Sequence, residues 1–369
     1  MNVTTVKEAA DIWDKSQNPV GVCCLDSDFV STQIKKRTRA SAQSFQQLPN
    51  QITTSHNCGT QSQGAQFQNA PLKPFLKWAG GKGQILPEIR KYYPAELGRN
   101  IYKYAEPFVG GGAVLFDILN RYTMEEVYIS DSNAELINVY SSLRDDTDTL
   151  IDFLKGYEAS YLPLENEARK SYYYKQRTRF NELKCHYDTN TELAALFIFL
   201  NRTCFNGLYR VNAKGGYNVP MGSYKSPTIC DEANLRRVAK ALCGITIVCA
   251  DYKASREFID KHTLVYFDPP YRPLTSSASF TSYTAGGFDD TCQLALGNYI
   301  KELALSGVYV IASNSDPKNS NPEDNFFDEL YSGMQINRIY ASRAINSKAS
   351  ARGKITELLI CSNASNGKD

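Results

Sequence analysis

Two rhythms of apolar residues alternate along most of the chain. Short runs of β-branched and aromatic residues at 127–130, 245–250, 265–267 and 308–312 read as strands covered on both faces, which show as continuous apolar runs. Between and around them, apolar positions recur at helical spacing: Ile85, Leu86 and Ile89; Val114, Leu115, Ile118 and Leu119; Leu136, Ile137 and Val139. Residues 152–190 are charged, Tyr-rich and helical in pattern, and 192–200 form an apolar helix. Near the C-terminus, 335–341 and 355–361 read as a strand pair around a loop bearing Arg343, Lys348, Arg352 and Lys354. Repeated strand and helix with a terminal antiparallel hairpin predicts an α/β fold with a mixed sheet.

The first 72 residues follow a different pattern. Thr5-Val-Lys-Glu8 is a capping box, and Val6, Ala9, Ala10 and Trp13 share one helical face. A second short helix is expected after Ser27, ending in the basic Lys35, Lys36, Arg37 and Arg39. Residues 1–39 therefore read as a small helical module, either a helix-turn-helix or a packing element. From 40 to 72 the chain is Gln-rich, holds no Asp, Glu, Lys or Arg, and has too few apolar residues to offset its ordering entropy. It reads as a polar linker, with the catalytic unit beginning near Pro74.

Composition narrows the function classes modestly. The 369 residues carry 41 Lys and Arg against 39 Asp and Glu, a net charge of +2, so a nucleic-acid partner would need a local basic surface rather than a global one. No apolar run approaches the ~20 residues that span a bilayer, and the N-terminus has no signal-like core, so a cytoplasmic protein without membrane contact is expected. The ten cysteines include no Cys-x-x-Cys pair and no zinc-like spacing, which points to reduced thiols and no metal.

Candidate chemistry gathers where strands end. Pro269 cannot continue a sheet ladder, so the strand of Val265, Tyr266 and Phe267 should stop at Asp268, at the carboxyl end where open α/β sheets bind ligands. The stiff Asp268-Pro269-Pro270-Tyr271 would aim a carboxylate, a carbonyl and an aromatic ring into one cleft, an arrangement suited to holding an exocyclic amine. A strand followed by a Pro-rich turn is the bland alternative. Earlier, Phe75-Leu-Lys-Trp-Ala-Gly-Gly-Lys-Gly83 makes a glycine turn with two lysines, and Tyr104-Ala-Glu-Pro-Phe-Val-Gly-Gly-Gly112 runs from strand through glycines into a helix. About twenty residues on, Asp131 stands where an acid can take both hydroxyls of a ribose, and also where it can cap the next helix. Residues 201–224 mix Arg, Asn, Tyr and Gly in what reads as a β-hairpin, either solvated or able to read base edges.

Together these residues resemble the Dam-type DNA adenine N6-methyltransferases, over Pro74 to about Ser362. Residues 75–82 are similar to that family's first cofactor motif, 106–112 to its FxGxG motif, and 268–271 to its catalytic motif, in the family's order. Leu-Asn-Arg and Phe-Asn-Gly-Leu-Tyr-Arg at 200–210, then Tyr-Asn-Val-Pro-Met-Gly-Ser-Tyr at 217–224, are similar to the recognition hairpin of members that read GATC. The resemblance implies a Rossmann-like class I methyltransferase sheet with a C-terminal antiparallel hairpin, and a helical, hairpin-bearing target-recognition domain. It divides the chain into a cofactor part at 73–150, target recognition at 151–235, a catalytic part at 236–362 and a tail at 363–369.

The resemblance further implies S-adenosylmethionine as cofactor, double-stranded DNA as partner, a flipped-out adenine as substrate, and a restriction–modification setting. Trp78, Lys82, Phe108, Gly110, Gly112, Asp131, Asp251, Tyr252 and Asp268 would hold the cofactor; Asp268, Pro269, Pro270 and Tyr271 would carry the chemistry. Lys77, Arg202, Phe205, Asn206, Leu208, Arg210, Pro220 and Tyr224 fall where the family reads or holds its DNA. Two positions depart from its pattern: Phe205 stands where a tyrosine is common, and Ser223 where a basic residue can occur. An amino-methyltransferase for another adenine site or for cytosine N4, or an inactive DNA-binding protein, are the alternatives. A nicotinamide dehydrogenase is disfavoured because Gly-x-Gly-x-x-Gly is absent, and a cytosine-C5 enzyme because the chain has no Pro-Cys.

Overall fold

A computed structural model of the chain describes residues 70–185, 190–272, 288–342 and 354–362. The helical module at 1–39, the linker up to residue 69, Arg343, Lys348, Arg352 and the tail at 363–369 lie outside the described residues. All of the described residues belong to one compact unit.

A seven-stranded sheet forms its centre: β1 (Lys103–Glu106), β2 (Glu126–Asp131), β3 (Thr246–Cys249), β4 (Thr263–Phe267), β5 (Tyr309–Ser315), β6 (Gln335–Ser342) and β7 (Lys354–Cys361), in the spatial order β3-β2-β1-β4-β5-β7-β6. β1 to β5 are mutually parallel, and β7 runs antiparallel to both β5 and β6. The mixed sheet with a terminal antiparallel pair is thus as expected. Every residue of β1 and β4 is buried. The apolar side chains of β1, β4 and β5 divide by strand alternation between the two faces: Tyr104, Leu264, Tyr266 and Ile311 join one apolar cluster, Ala105, Val265, Phe267, Val310 and Ala312 the other.

Helices cover both faces. α1 (Leu86–Ile89), α2 (Ala113–Arg121), α3 (Ala134–Asp145), α4 (Thr147–Tyr161), α5 (Asn166–Cys185), α6 (Thr191–Thr203) and α7 (Glu232–Leu242) precede β3, and α8 (Asp290–Leu305) and α9 (Phe326–Leu330) follow β4. Leu296, Ile300 and Leu303 of α8 seat on the face of Val265 and Phe267. α6 is buried from Leu193 through Asn201 and packs against α3, α4 and α5, which explains why its sequence is apolar all round. The side chain of Asn190 caps it by accepting from the Leu193 N–H at 2.8 Å.

Three local expectations are corrected. The strand expected at 308–312 continues to Ser315, because Ser313, Asn314 and Ser315 pair with Leu359, Leu358 and Glu357 of β7, so polar residues still find ladder partners. Asp131 does not cap the helix after it; Asn133 does, accepting from the Leu136 N–H at 2.9 Å. Residues 201–224 fold back antiparallel, but through isolated bridges at Cys204–Met221 and Val211–Tyr217 rather than a regular hairpin ladder. A 3-10 turn at Phe205–Gly207 with Asn206 at φ 55° breaks the pairing.

The chain builds β1, β2 and β3 outward in one direction, then returns to place β4 and β5 on the other side of β1. The strand order therefore reverses between β1 and β4. The crevice outside their carboxyl ends is where such sheets take ligands.

Candidate active site

β4 ends at Phe267 as its sequence requires, and the next residues enter a buried polar network. Asp268 Oδ1 accepts from Lys82 Nζ at 2.7 Å and from Ser313 Oγ at 2.9 Å. Lys82 is only 3% exposed, and its ammonium also donates to the Gly80 carbonyl at 2.8 Å and the Tyr271 hydroxyl at 2.6 Å. Tyr271 in turn donates to Glu357 Oε2 at 2.8 Å. The Pro270 carbonyl accepts from Gln293 Nε2 at 2.9 Å, and Gln293 Oε1 from Asn314 Nδ2 at 3.1 Å. β4, β5, β7 and α8 thus each fix one part of Asp-Pro-Pro-Tyr. Both side-chain contacts of Asp268 with the described residues fall on Oδ1. Among the described residues, neither its Oδ2 nor the Pro269 carbonyl has a hydrogen-bond donor.

Across the crevice, the turn after β1 lies bare against the Trp78 indole. Gly110 has φ 47°, and a Cβ there would lie 2.8 Å from Trp78; Gly112 has φ 70°, and its Cβ would meet the Tyr140 hydroxyl at 2.7 Å. Only glycine fits both the backbone conformation and the space. Tyr140 Oη donates to the Gly110 carbonyl at 3.0 Å. Asp131 holds the turn from β2: Oδ2 accepts from the Gly110 N–H at 3.2 Å and Oδ1 from the Asn133 N–H at 3.0 Å. Burial raises its carboxyl above the usual range, and those backbone donors oppose the rise.

Between the two halves lies a cleft of about 780 Å³, within the ~300–1,000 Å³ common for small-molecule sites. Trp78, Lys82, Phe108, Gly110, Gly112, Asp131, Asp251, Tyr252, Asp268, Pro269, Pro270 and Tyr271 all line it. Every residue expected at the cofactor and the catalytic centre is therefore brought to one cavity. Phe108 and Tyr252 stack within it, with ring centroids 5.7 Å apart. Asp251 is exposed at its rim, where Oδ1 accepts from the Lys253 N–H at 3.0 Å.

Several residues of this site have no role in the sequence reading. Glu106 lines the cleft at 2% exposure, accepting from the Tyr104 hydroxyl at 2.6 Å. Burial, reinforced by the nearby Asp268 charge, pushes its carboxyl up to about 8. Ser313, Gln293 and Glu357 support Asp-Pro-Pro-Tyr, and Tyr209 adds a ring to the wall. Glu106 stands in a recognisable motif, so a strand-end acid was a usable signal there. Tyr209 likewise stands in a recognisable stretch at 205–210, but nothing local marks Ser313, Gln293 or Glu357.

The residues expected at DNA lie on the 201–224 segment and, for Lys77, on the loop that Asn201 ties to it. Phe205 is 50% exposed, and Asn206, Arg210 and Pro220 are exposed as well. Arg210 Nε donates to Asn218 Oδ1 at 2.8 Å. Lys77 and Leu208 are half-buried, with the Lys77 ammonium 3.7 Å from the centroid of the Tyr224 ring. Arg202 stands apart: it is half-buried at the end of α6, burial lowers its pKa, and its Nε has no hydrogen-bond partner among the described residues. Among the described residues no cluster of His, Cys, Asp and Glu could hold a metal ion, and no helix is long and apolar enough to cross a membrane.

A parallel sheet with one antiparallel strand inserted near its edge, and a glycine-lined cleft at its switch point, define a methyltransferase of the class I fold. Residues 78–345 match the model of a family described as D12 class N6 adenine-specific DNA methyltransferase. The chain belongs to that family and is an adenine-specific DNA methyltransferase. Type II methyltransferase M.MjaIII of Methanocaldococcus jannaschii is 47% identical over 291 residues, 78% of this chain and 98% of that protein. Type II methyltransferase M1.LlaDCHI of Lactococcus lactis is 37% identical, covering 78% and 95%. A DNA adenine methylase of Vibrio cholerae is 34% identical over 288 residues, again 78% and 95%.

Proposed function

We propose that the enzyme transfers a methyl group from S-adenosylmethionine to N6 of an adenine flipped out of duplex DNA, within GATC. The observation that carries this reading is a pair of acceptors with no donor among the described residues, Asp268 Oδ2 and the Pro269 carbonyl, beside the Tyr271 ring in a cleft whose opposite wall is bare glycine backbone. An exocyclic amine has two hydrogens to place, and these are two acceptors for them.

The amine of adenine is a poor nucleophile because its lone pair is delocalised into the ring. Accepting both hydrogens on fixed oxygens favours the geometry in which that pair is free for attack. Lys82 and Ser313 hold Oδ1, so Asp268 cannot turn away, and its other oxygen is the one offered to the amine. Tyr271 supplies the stacking face, and a base must leave its helix to reach so enclosed a site. The proton that the nitrogen sheds on becoming alkylated lies on a hydrogen bond to Asp268.

The cleft fits the cofactor on its own features. Gly110 and Gly112 let the backbone approach, Asp131 offers a carboxylate at ribose-binding spacing, and Phe108, Tyr252 and Trp78 offer ring faces. When bound, S-adenosylmethionine supplies a methyl group electrophilic enough for direct attack, without a covalent enzyme intermediate. Asp251 would lie by its adenine, and Phe108, Gly110 and Gly112 around its methionine portion.

Region 151–235 would read the DNA. Arg210 and Asn206 present groups able to pair with base edges, Phe205 is exposed enough to wedge between bases, and Lys77 carries charge toward the backbone. Phe205 offers no hydroxyl and Ser223 no phosphate-pairing charge. The GATC assignment rests on the likeness of 201–224 to GATC readers.

The test is transfer from labelled S-adenosylmethionine to duplexes with and without GATC. N6-methyladenine should form in the former alone, and Asp268→Ala should abolish turnover while cofactor binding, read by calorimetry, persists. Equal labelling of both duplexes would remove the GATC assignment, and full activity in Asp268→Ala the mechanism.

A further inference from the structure

The DNA-reading segment and the cofactor cleft share a wall. Tyr209, between Leu208 and Arg210, turns inward while Arg210 faces solvent; it is 6% exposed and lines the cleft. Its ring stacks on Trp78 with centroids 6.3 Å apart and planes at 23°, and on Phe197 of α6 at 5.3 Å and 21°. Its hydroxyl donates to Glu135 Oε2 at 3.1 Å and accepts from Lys184 Nζ at 3.0 Å; those two charged groups are themselves paired at 2.7 Å. α3 and α5 therefore both grip it.

A second tie runs through the neighbouring dipeptide. Asn201 clamps the main chain of Lys77, accepting from its N–H at 2.8 Å and donating to its carbonyl at 2.8 Å, and it also donates to the Gly207 carbonyl at 3.0 Å. Gly207 lies so close that a Cβ on it would come 2.4 Å from Lys77 Cβ. Lys77 thus faces the recognition segment, while Trp78 faces the cleft. With isolated bridges in place of a ladder, residues 204–222 depend on such side-chain anchors for their order.

We infer that Tyr209 is a positioning residue that couples the two binding events: DNA held on Phe205, Asn206 and Arg210 orders the wall that Tyr209 and Trp78 present to the cofactor, and a filled cleft orders the DNA-reading segment in return. This rests on the functional reading of the two sites given above. Close packing makes the coupling physical, since neither ring can shift without displacing the other. A ligand that orders shared structure lowers the ordering cost for the next one, and the effect is reciprocal. The coupling should be about fivefold or more, the lower end of measured values.

The experiment measures binding of a short GATC duplex to the full chain with and without S-adenosylhomocysteine, and the reverse, in wild type, Tyr209→Phe and Tyr209→Leu. Wild type should show the same factor in both directions. Tyr209→Phe, which keeps the stack, should retain most of it. Tyr209→Leu should bring it near one, with both separate affinities still measurable. Hydrogen exchange on the wild type alone gives an independent readout: amides at 206–211 should gain protection when S-adenosylhomocysteine binds without DNA. An equal factor in wild type and Tyr209→Leu, no factor in a wild type that binds both ligands, or unchanged exchange at 206–211 would overturn the inference. A wild type that binds neither ligand would instead refute the functional reading on which it rests.

Discussion

Glu106→Gln isolates the buried carboxyl near Asp268. The group sits at 2% exposure with its proton held up to about 8, chiefly by burial. In the unfolded chain it ionises near 4.5. A carboxyl whose folded pKa is raised contributes stability in full below its unfolded value, and loses that contribution as pH climbs to the folded one. Between those limits the unfolded state is ionised and the folded state is not, so unfolding gains about 1.4 kcal/mol of advantage per pH unit. Across the whole window the loss is about 5 kcal/mol, and from pH about 5.5 to 8 it is about 3 kcal/mol. Gln has the shape of the neutral acid and no titration. Urea unfolding of wild type and Glu106→Gln at both pH values should therefore show the variant gaining on the wild type by about 3 kcal/mol as pH rises. Parallel pH dependences would mean that Glu106 is ionised throughout, and would refute the assignment of a neutral acid at the end of β1.

Other substitutions probe the remaining contacts. Ser313→Ala removes one of two donors to Asp268 Oδ1, and since a hydrogen bond to a charged group is worth ~1.5–3 kcal/mol, kcat should fall at least about tenfold with cofactor affinity retained. An unchanged kcat would show that Lys82 alone orients the carboxylate. Asp131→Ala should raise the KM for S-adenosylmethionine by about tenfold or more while kcat at saturation is kept, since it removes ground-state binding and loosens Gly110; a change confined to kcat would exclude the ribose role. Arg210→Ala should relax discrimination at one base by about 1–3 kcal/mol, measured by competition between cognate and singly altered duplexes, and an unaltered preference would remove Arg210 from the reading set.

Much of this architecture is legible in the amino-acid order because parallel strands buried on both faces leave continuous apolar runs, as at Val265 to Phe267. Pro269 marks the strand end for the same reason that it ends it. β1 is less legible: Lys103 and Glu106 are polar yet buried, the first because Asp260 receives its ammonium at 3.0 Å. The polar end of β5 is hidden too, since its ladder partners lie on a strand some 45 residues later in the chain. The glycine turn at 106–112 and the Asp-Pro-Pro-Tyr at 268–271 are each a continuous stretch, so local reading finds them. The network that orients them is not: Lys82 reaches Tyr271 across 189 positions and Tyr271 reaches Glu357 across 86. The turn at Phe205–Gly207 escapes pattern reading because a left-handed Asn206 has no periodic signature. What holds that turn is Asn201, which donates to the Gly207 carbonyl at 3.0 Å and opens a segment that composition leaves between a solvated hairpin and a base reader.

The central claim is a methyl group on N6 of adenine in GATC. Expressing the chain in a host without adenine methylation, and sequencing the modified bases genome-wide, tests base and site at once. The account predicts N6-methyladenine at GATC and nowhere else, and none when Asp268→Ala is expressed. Methylated cytosine, adenine marked at another sequence, or an unmodified genome alongside soluble enzyme would contradict it.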